Sequence, residues 1–121
     1  MTLRFGPIVL TTTDLPRAVA FWTTALGLRS REPVWPDTTY VTLVGALDGD
    51  DRIALQLGDV PERVGTVVVH LDLYTDDQAG EVARLIDLGA TRLRWEYPTD
   101  PDFVVLADLD GHPFCVVAQD S

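Results

Sequence analysis

Residues 67–74 read Val67-Val-Val-His70-Leu-Asp72-Leu-Tyr74, and this stretch decides how the rest of the chain folds. At the strand period of two, His70, Asp72 and Tyr74 share one face, and the residues between them give an apolar opposite face. An imidazole, a carboxylate and a phenol on one face are typical of the wall of a semi-polar cavity. The alternative is the wet face of an antiparallel sheet, where mixed polar residues are common. We predict that these three residues form the floor of a pocket.

The length and the cysteine content limit what this pocket can be. With 121 residues, the chain is long enough to bury a core as a single domain without disulfides or a structural metal. Cys115 is its single cysteine. An intrachain disulfide framework and a CxxC motif are therefore both excluded.

The charge balance is strongly acidic. Nine arginines oppose 19 acidic residues, which gives a net charge of −10, and the chain has no lysine. This balance argues against nucleic acid or an anionic membrane as a partner and favours a neutral or cationic ligand, although acidity also serves solubility. The N-terminal residues lack the apolar run of a signal peptide, and no apolar segment approaches membrane-spanning length. We therefore expect a cytoplasmic protein.

The first half of the chain is predicted to hold one helix and four strands. Asp14 as the N-cap, Pro16 in the first turn and Gly27 at the end delimit a helix from Leu15 to Leu26. Apolar and β-branched runs between turn residues predict the strands Arg4–Thr12, Leu28–Val34, Thr39–Val44 and Arg52–Leu57. The segment Gly58–Gly65 reads as a linker.

The second half repeats this order. A strand from Thr66 to Tyr74 precedes a helix from about Asp77 to Leu88, with Gly89 at its C-terminal stop. The remaining predicted strands are Thr91–Glu96, Phe103–Asp108 and Pro113–Ala118. A helix after the first strand of each half, with an aspartate cap in matching places, indicates the internal duplication of a βαβββ unit.

Four segments of the sequence resemble a known superfamily: residues 10–22 (Leu10-Thr-Thr-Thr-Asp14-Leu-Pro16 onward), 70–73, 88–91 and 103–117. They are similar to the vicinal oxygen chelate (VOC) superfamily, which includes glyoxalase I, bleomycin-resistance proteins and extradiol dioxygenases, and most of all to its glyoxalase-like branch common in actinobacteria. The resemblance implies an α+β fold of two tandem βαβββ modules, at about 1–60 and 65–121, that form one domain over 1–121. It also implies mixed sheets that curl into a cup, with the helices on the outside.

In the metal-dependent members, the resemblance implies four ligands from the first and last strands of the two modules. The matching positions are Pro7 and Gln56 in the first module and His70 and Cys115 in the second, where the enzymes usually have His or Gln, Glu, His and Glu. Because proline has no donor atom and both carboxylates are missing, we expect that the metal site is lost and that no cofactor is bound. The alternative is a divalent Zn, Fe, Mn or Ni ion held by His70, Gln56, Cys115 and water.

The cup is therefore expected to bind a small organic molecule. The expected ligand-binding residues are Gln56, His70, Asp72, Tyr74, Trp35, Tyr40, Trp95, Phe103 and Cys115. Aromatic rings among carboxylates favour an aromatic or cationic ligand, although packing in the core or in a dimer explains some of the aromatics equally well. Cys115, which has apolar neighbours, is interpreted first as a small buried residue.

Two classes of function remain open. The first is a metal-free binding module that resembles the bleomycin-resistance proteins. The second is a VOC-type lyase, isomerase or dioxygenase, in which His70 is a metal ligand or a general base and Asp72 orients it. The resemblance also implies a homodimer.

Overall fold

The computed structural model describes residues 6–45, 51–60 and 70–119. The chain divides into two compact units, Met1–Pro61 and Glu62–Ser121. Predictions that fall on residues 1–5, 46–50 and 61–69 lie outside the described residues. These are the beginnings of both opening strands, most of the loop before the fourth strand, and most of the linker.

The first unit consists of β1 (Ile8–Thr12), α1 (Leu15–Leu26), β2 (Arg29–Ser30), β3 (Tyr40–Val44) and β4 (Asp51–Leu57). Its sheet has the order β1-β4-β3-β2, in which β1 runs parallel to β4 and the other pairs are antiparallel. Helix α1 packs against β3 and β4. As expected for a residue of the apolar stripe of α1, Trp22 is fully buried, and it meets the ring of Phe21 edge-on at a centroid distance of 5.0 Å.

The second unit repeats this plan with β5 (Leu71–Thr75), α2 (Gln78–Asp87), β6 (Thr91–Arg92), β7 (Phe103–Ala107) and β8 (Pro113–Ala118). The sheet order is β5-β8-β7-β6, with β5 parallel to β8 and the remaining pairs antiparallel. Helix α2 packs against β8. The predicted α+β class and the two βαβββ modules with mixed sheets are confirmed. In the described part of the chain, neither helix is both long and apolar enough to cross a membrane.

Both helices carry the aspartate N-caps that their sequences predict. The Asp14 carboxylate accepts from the backbone N–H of Arg17, and the Asp77 carboxylate accepts from that of Gly80, so each aspartate satisfies an otherwise unpaired donor of the first turn. Helix α1 spans Leu15–Leu26, as predicted, and Gly27 follows it with a left-handed φ of 66°. Helix α2 ends one residue earlier than predicted, and Gly89 adopts a φ of 120°.

The strand that follows the helix in each unit, β2 or β6, is much shorter than predicted. The predicted strand Thr91–Glu96 is paired only over Thr91–Arg92, with one further bond from the Leu93 N–H to the Val105 carbonyl. The Val105 N–H donates instead to the Tyr97 hydroxyl at 2.9 Å, so a side chain takes the place of the continuing strand. In the first unit, β2 ends after Ser30 with one further bond from the Arg31 N–H to Thr42, before two prolines interrupt the chain.

Replacement of Gly89 by alanine is expected to destabilise the second unit more than the same change at Gly27 destabilises the first. Both glycines have positive φ, which disfavours any residue with a Cβ by roughly 1–2 kcal/mol. At Gly27 the added Cβ meets open space, whereas at Gly89 it would lie 2.5 Å from Cδ2 of Leu109. Urea denaturation of both variants measures the loss of unfolding free energy, with Gly6→Ala as the unstrained control. An equal loss for Gly27→Ala and Gly89→Ala would contradict the contact with Leu109.

Candidate functional site

The second unit contains a hollow of about 450 Å³. Its lining residues come from β5, β7, β8 and the segments next to them, and they are His70, Asp72, Tyr74, Trp95, Asp102, Phe103, Val105, Pro113, Cys115, Val117 and Gln119. This volume lies within the usual range for sites that bind small molecules.

Strand alternation explains which residues reach the hollow. On β8, Cys115 and Val117 line it, while Phe114 and Val116 alternate with them in the sequence, are buried, and point to the opposite face of the sheet, on which α2 packs. The same alternation operates at β5. His70, just before the strand, and Asp72 and Tyr74 within it all line the hollow, as the period of two predicts.

Three side chains with different chemistry meet at the centre of this lining. Nε2 of His70 lies 3.1 Å from Oδ1 of Asp72, in a hydrogen bond that the imidazole N–H donates to the carboxylate. Asp72 is the partner of Cys115 in the parallel pairing of β5 with β8. One nitrogen of His70, one carboxylate oxygen of Asp72 and Sγ of Cys115 all lie within 4.8 Å of one another. We call these three residues the His–Asp–Cys cluster.

The cluster is open on one side and closed on the other. The His70 and Asp72 side chains are 47% and 49% exposed, whereas Cys115 is only 8% exposed. The pKa of the Cys115 thiol is raised above its ordinary value, first because burial disfavours the thiolate, and also because the Asp72 carboxylate repels the thiolate and accepts a hydrogen bond from the thiol. The carboxylate of Asp72 thus lies between an imidazole and a protonated thiol.

Aromatic rings form another part of the lining. Tyr74, Trp95 and Phe103 all contribute to it, and each was predicted to bind ligand. Phe103 packs against the ring of Tyr97 at a centroid distance of 5.3 Å. The hydrogen bond from the Val105 N–H holds Tyr97 in place, and the Tyr97 ring therefore supports Phe103.

Asp102 adds a second carboxylate to the lining, and no pattern in the sequence selects it. Its backbone carbonyl accepts hydrogen bonds from the side-chain amide of Gln78 and from the backbone N–H of Ala118, which fasten this segment to α2 and β8. Among the residues that the structure describes, those that line the hollow include no arginine. The charged groups of this described lining are therefore acidic, apart from the imidazole of His70.

Other lining residues were also missed, although a signal for them existed. Pro113, Val117 and Gln119 have odd numbers, as does Cys115, so the strand period that selected His70, Asp72 and Tyr74 also places them on the Cys115 face. By contrast, Asp102 belongs to a segment without regular structure, where periodicity carries no information.

The first unit holds the remaining predicted ligand-binding residues. Trp35 and Tyr40 line a separate hollow of about 350 Å³, together with Arg31, Glu32, Pro33, Thr38, Val41 and Thr42. Both aromatic side chains are well exposed, at 64% and 46%. Gln56 is exposed on β4 opposite Tyr40 and does not belong to the described lining of either hollow. Of the nine predicted residues, six thus lie together in the second unit.

The strand registers change how the two modules correspond. Val9 and Asp72 each lie five residues before the aspartate cap of the following helix, and their partners on the last strands are Ala54 and Cys115. Ala54, rather than Gln56, therefore corresponds to Cys115. The position matched from the sequence, Gln56, therefore lies two residues beyond the one that the strand register assigns.

A four-ligand metal site shared between the modules does not fit these residues. Pro7 and Ala54, at the positions that correspond to His70 and Cys115, have no donor atoms in their side chains. The described residues that can hold a metal ion are instead the His–Asp–Cys cluster, in which Asp72 supplies a carboxylate that the resemblance did not imply.

Solved structures with the same fold come from several bacteria. A mutant of the fosfomycin resistance protein FosX from Listeria monocytogenes, complexed with Mn(II) and 1S,2S-dihydroxypropylphosphonic acid, is 16% identical, with 99% of this chain and 93% of that chain covered and a TM-score of 0.74. Protein ATC0852 from Agrobacterium tumefaciens is 18% identical, with 98% and 100% covered and a TM-score of 0.72.

A glyoxalase/bleomycin resistance protein/dioxygenase family enzyme from Burkholderia phytofirmans is also similar. It is 17% identical, with 92% of this chain and 94% of that chain covered and a TM-score of 0.67. At these identities the likeness concerns the fold alone. Comparison with curated proteins gives no significant match.

The family model for the glyoxalase-like domain matches residues 7–117, which is nearly the whole chain. The match includes every described strand and helix of both modules except the last residue of β8. The duplicated βαβββ architecture and this match agree, and the chain belongs to the glyoxalase-like domain family.

Proposed function

We propose that the protein binds a small organic molecule that carries an aromatic ring and a positive charge, in the hollow of the second unit. The observation that carries this proposal is the lining itself, which combines three aromatic side chains with the carboxylates of Asp72 and Asp102. The face of an aromatic ring attracts a cation, and a carboxylate in the same cavity adds a direct charge pair. Such a lining selects ligands by charge as well as by shape.

The charge of the whole chain supports the same class of ligand. A net charge of −10 attracts cations to the protein and repels anions, although salt screens this effect over roughly 10 Å. The organic molecule in the FosX complex is a phosphonic acid, which is an anionic ligand. The acidic hollow of the second unit favours the opposite charge, so we propose that this chain shares the fold with FosX but not its class of ligand.

A matched pair of probes tests this charge preference. The two probes are phenacyltrimethylammonium and its uncharged carbon analogue, 3,3-dimethyl-1-phenylbutan-1-one. They have closely similar shapes and differ in charge. We expect the cation to bind about tenfold more tightly, because cation–π contact and a nearby carboxylate together contribute roughly 1–2 kcal/mol. Isothermal titration calorimetry measures both affinities, and the anionic 3-benzoylpropionate should bind most weakly.

Substitution of Asp72 provides the control. Asp72→Asn should reduce the preference for the cation several-fold and leave binding of the uncharged analogue unchanged, since the amide keeps the shape of the carboxylate. Asp76→Asn, in the exposed turn after β5, removes the same charge outside the hollow and should have no effect. Equal affinity of the wild-type protein for the two probes would refute the proposed ligand class.

A second candidate function is proton transfer by His70, and a specific contact favours it. The hydrogen bond from Nε2 to Asp72 orients the imidazole, and the ring remains half exposed in the hollow. An imidazole in this setting can take a proton from a carbon next to a carbonyl group and return it from the same face, which is the step of an isomerase. Asp72 would then act as a positioning residue that stabilises the protonated ring.

Deuterium exchange tests this candidate directly. Phenacyltrimethylammonium has acidic protons between its carbonyl and ammonium groups, and NMR in D₂O follows their replacement. If His70 acts as a base, the protein accelerates the exchange and His70→Gln lowers the acceleration about a hundredfold or more, as is typical when a general base is lost. His112→Gln, at the other histidine, should keep the wild-type rate. Exchange at the buffer rate with wild-type protein would rule out this candidate.

Cys115 is not the nucleophile of either candidate. Burial first, and then the neighbouring Asp72 carboxylate, raise the pKa of its thiol, and both oppose formation of the thiolate. In nucleophilic sites a base contacts the thiol and the carboxylate stands behind that base, whereas here the carboxylate is in the middle. The cluster has the residue types of a catalytic triad, but its carboxylate, rather than its imidazole, contacts the thiol, and this arrangement does not activate the sulfur.

Alkylation by iodoacetamide should therefore be slow at neutral pH. Because the pKa of Cys115 is raised, the rate should increase with pH through a midpoint above the ordinary value for cysteine. Asp72→Asn removes the repulsion of the thiolate, so it should shift this midpoint to lower pH and accelerate the reaction at about pH 8 several-fold. Mass spectrometry of the labelled chain measures both rates. A midpoint that Asp72→Asn leaves unchanged would contradict the contact between Asp72 and Cys115.

We also propose an assembly and a compartment for the protein. The assembly is the homodimer that the family resemblance implies, and β1, an edge strand of the first sheet, carries the exposed side chains Ile8 and Val9 that a partner subunit could cover. The proposed location is the cytoplasm, where Cys115 would stay a free thiol.

A further inference from the structure

We propose that the His–Asp–Cys cluster binds one divalent ion of the zinc class, with every protein ligand supplied by the second unit. The ligands are a ring nitrogen of His70, the Asp72 carboxylate and Sγ of Cys115. This site differs from the four-ligand arrangement that the family resemblance implied, because it includes Asp72 and needs nothing from the first unit.

The spacing of the three groups suits a small ion. Zinc bonds of about 2.0–2.3 Å in tetrahedral geometry place neighbouring ligand atoms roughly 3.3–3.8 Å apart. The cluster has its ligand atoms within 4.8 Å of one another, and the pair from His70 and Asp72 is 3.1 Å apart. The backbones of β5 and β8 are already paired at Asp72 and Cys115, so the proposal asks for an adjustment of the side chains only.

The chemistry of the ligands selects the class of ion. A thiolate and an imidazole prefer zinc and cobalt over magnesium, calcium and manganese, which favour sites made of oxygen. The thiolate and the carboxylate together neutralise the charge of a divalent ion. Binding forms a bond from the ion to sulfur and breaks the S–H bond, so one proton leaves Cys115 for the solvent. Three protein ligands leave a fourth position for water or for a donor atom of an organic ligand.

The positions of the first unit that correspond to the cluster carry no ligands. Pro7 and Ala54 occupy the positions that correspond to His70 and Cys115, and Val9 occupies the position of Asp72. None of these side chains has a donor atom. Duplication has thus produced two copies of one frame, of which the second carries a complete set of three ligands and the first carries none at the same positions.

The ion and the proposed organic cation would use the same carboxylate. Both need Asp72, so they should compete for the hollow rather than bind together. The ion site does not depend on the organic ligand, because it stands on the three side chains and their distances alone. Failure of either proposal therefore leaves the other intact.

Cobalt is the probe for this site, because Co²⁺ replaces zinc and has an absorption spectrum. The full-length protein, reduced and free of metal, is titrated with CoCl₂. We expect saturation at one ion per chain and a near-ultraviolet band from charge transfer between thiolate and cobalt. One equivalent of Zn²⁺ should displace the cobalt and remove this band. Saturation of the wild-type protein with cobalt without the thiolate band would overturn the proposal, and so would the absence of saturation.

Substitutions assign the ligands. Cys115→Ser should abolish the charge-transfer band, and His70→Gln and Asp72→Asn should each weaken cobalt binding about tenfold or more, as loss of a supporting group commonly does. Because His70 and Asp72 are half exposed, these two variants keep the test valid if Cys115→Ser does not fold. Circular dichroism confirms that each variant is folded.

Two further variants separate a site in one unit from a site shared by both. Gln56→Ala should bind cobalt with the wild-type affinity, and His112→Gln, which changes the other histidine, should do the same. A loss of affinity in Gln56→Ala as large as that in His70→Gln would overturn the claim that the second unit supplies all protein ligands. An unchanged affinity in both His70→Gln and Asp72→Asn would overturn the site itself.

Discussion

The parallel pairing of β5 with β8 is the constraint on which the candidate site depends. It sets Asp72 beside Cys115 and, because side chains alternate, brings His70 and Tyr74 to the same face. A shift of this register by one residue would turn Phe114 and Val116 into the hollow and bury the thiol face against α2. The register is protected by those two side chains, which are almost fully buried on the helix side of the sheet. Packing of the apolar face thus determines the chemistry of the polar face.

The helix between these strands makes the parallel pairing possible. Parallel neighbours need a crossover, and α2 supplies it with a cap at Asp77 and a stop at Gly89. Gln78, in the first turn of this helix, then donates its amide to the carbonyls of Asp102 and Val116. One side chain therefore ties the helix to β8 and to the segment that carries the second carboxylate of the hollow. The local signals that begin the helix and the contacts that shape the site come from adjacent residues.

Much of this architecture could be predicted from the sequence, for reasons that particular residues make clear. Asp14 and Gly27 are strong local signals, and they located the ends of α1. The alternation in residues 70–74 placed three side chains in one hollow. Asp102 was missed because its place depends on hydrogen bonds from Gln78 and Ala118, which no local pattern encodes. The lengths of β2 and β6 were overestimated because strand propensity does not reveal competing contacts. One such contact is the hydrogen bond that the Val105 N–H of β7 donates to the Tyr97 hydroxyl.

The correspondence of Ala54 with Cys115 has a consequence for protein engineering. Because the registers of β1 with β4 and of β5 with β8 are the same, positions 7, 9 and 54 reproduce the backbone frame of the His–Asp–Cys cluster. A designer who wishes to install a second reactive centre therefore has three defined grafting points, two on strands that are already paired and one, position 7, just before β1. Proline and two apolar side chains now fill those points, so each half of the duplicated scaffold can be given its own chemistry without a change of backbone.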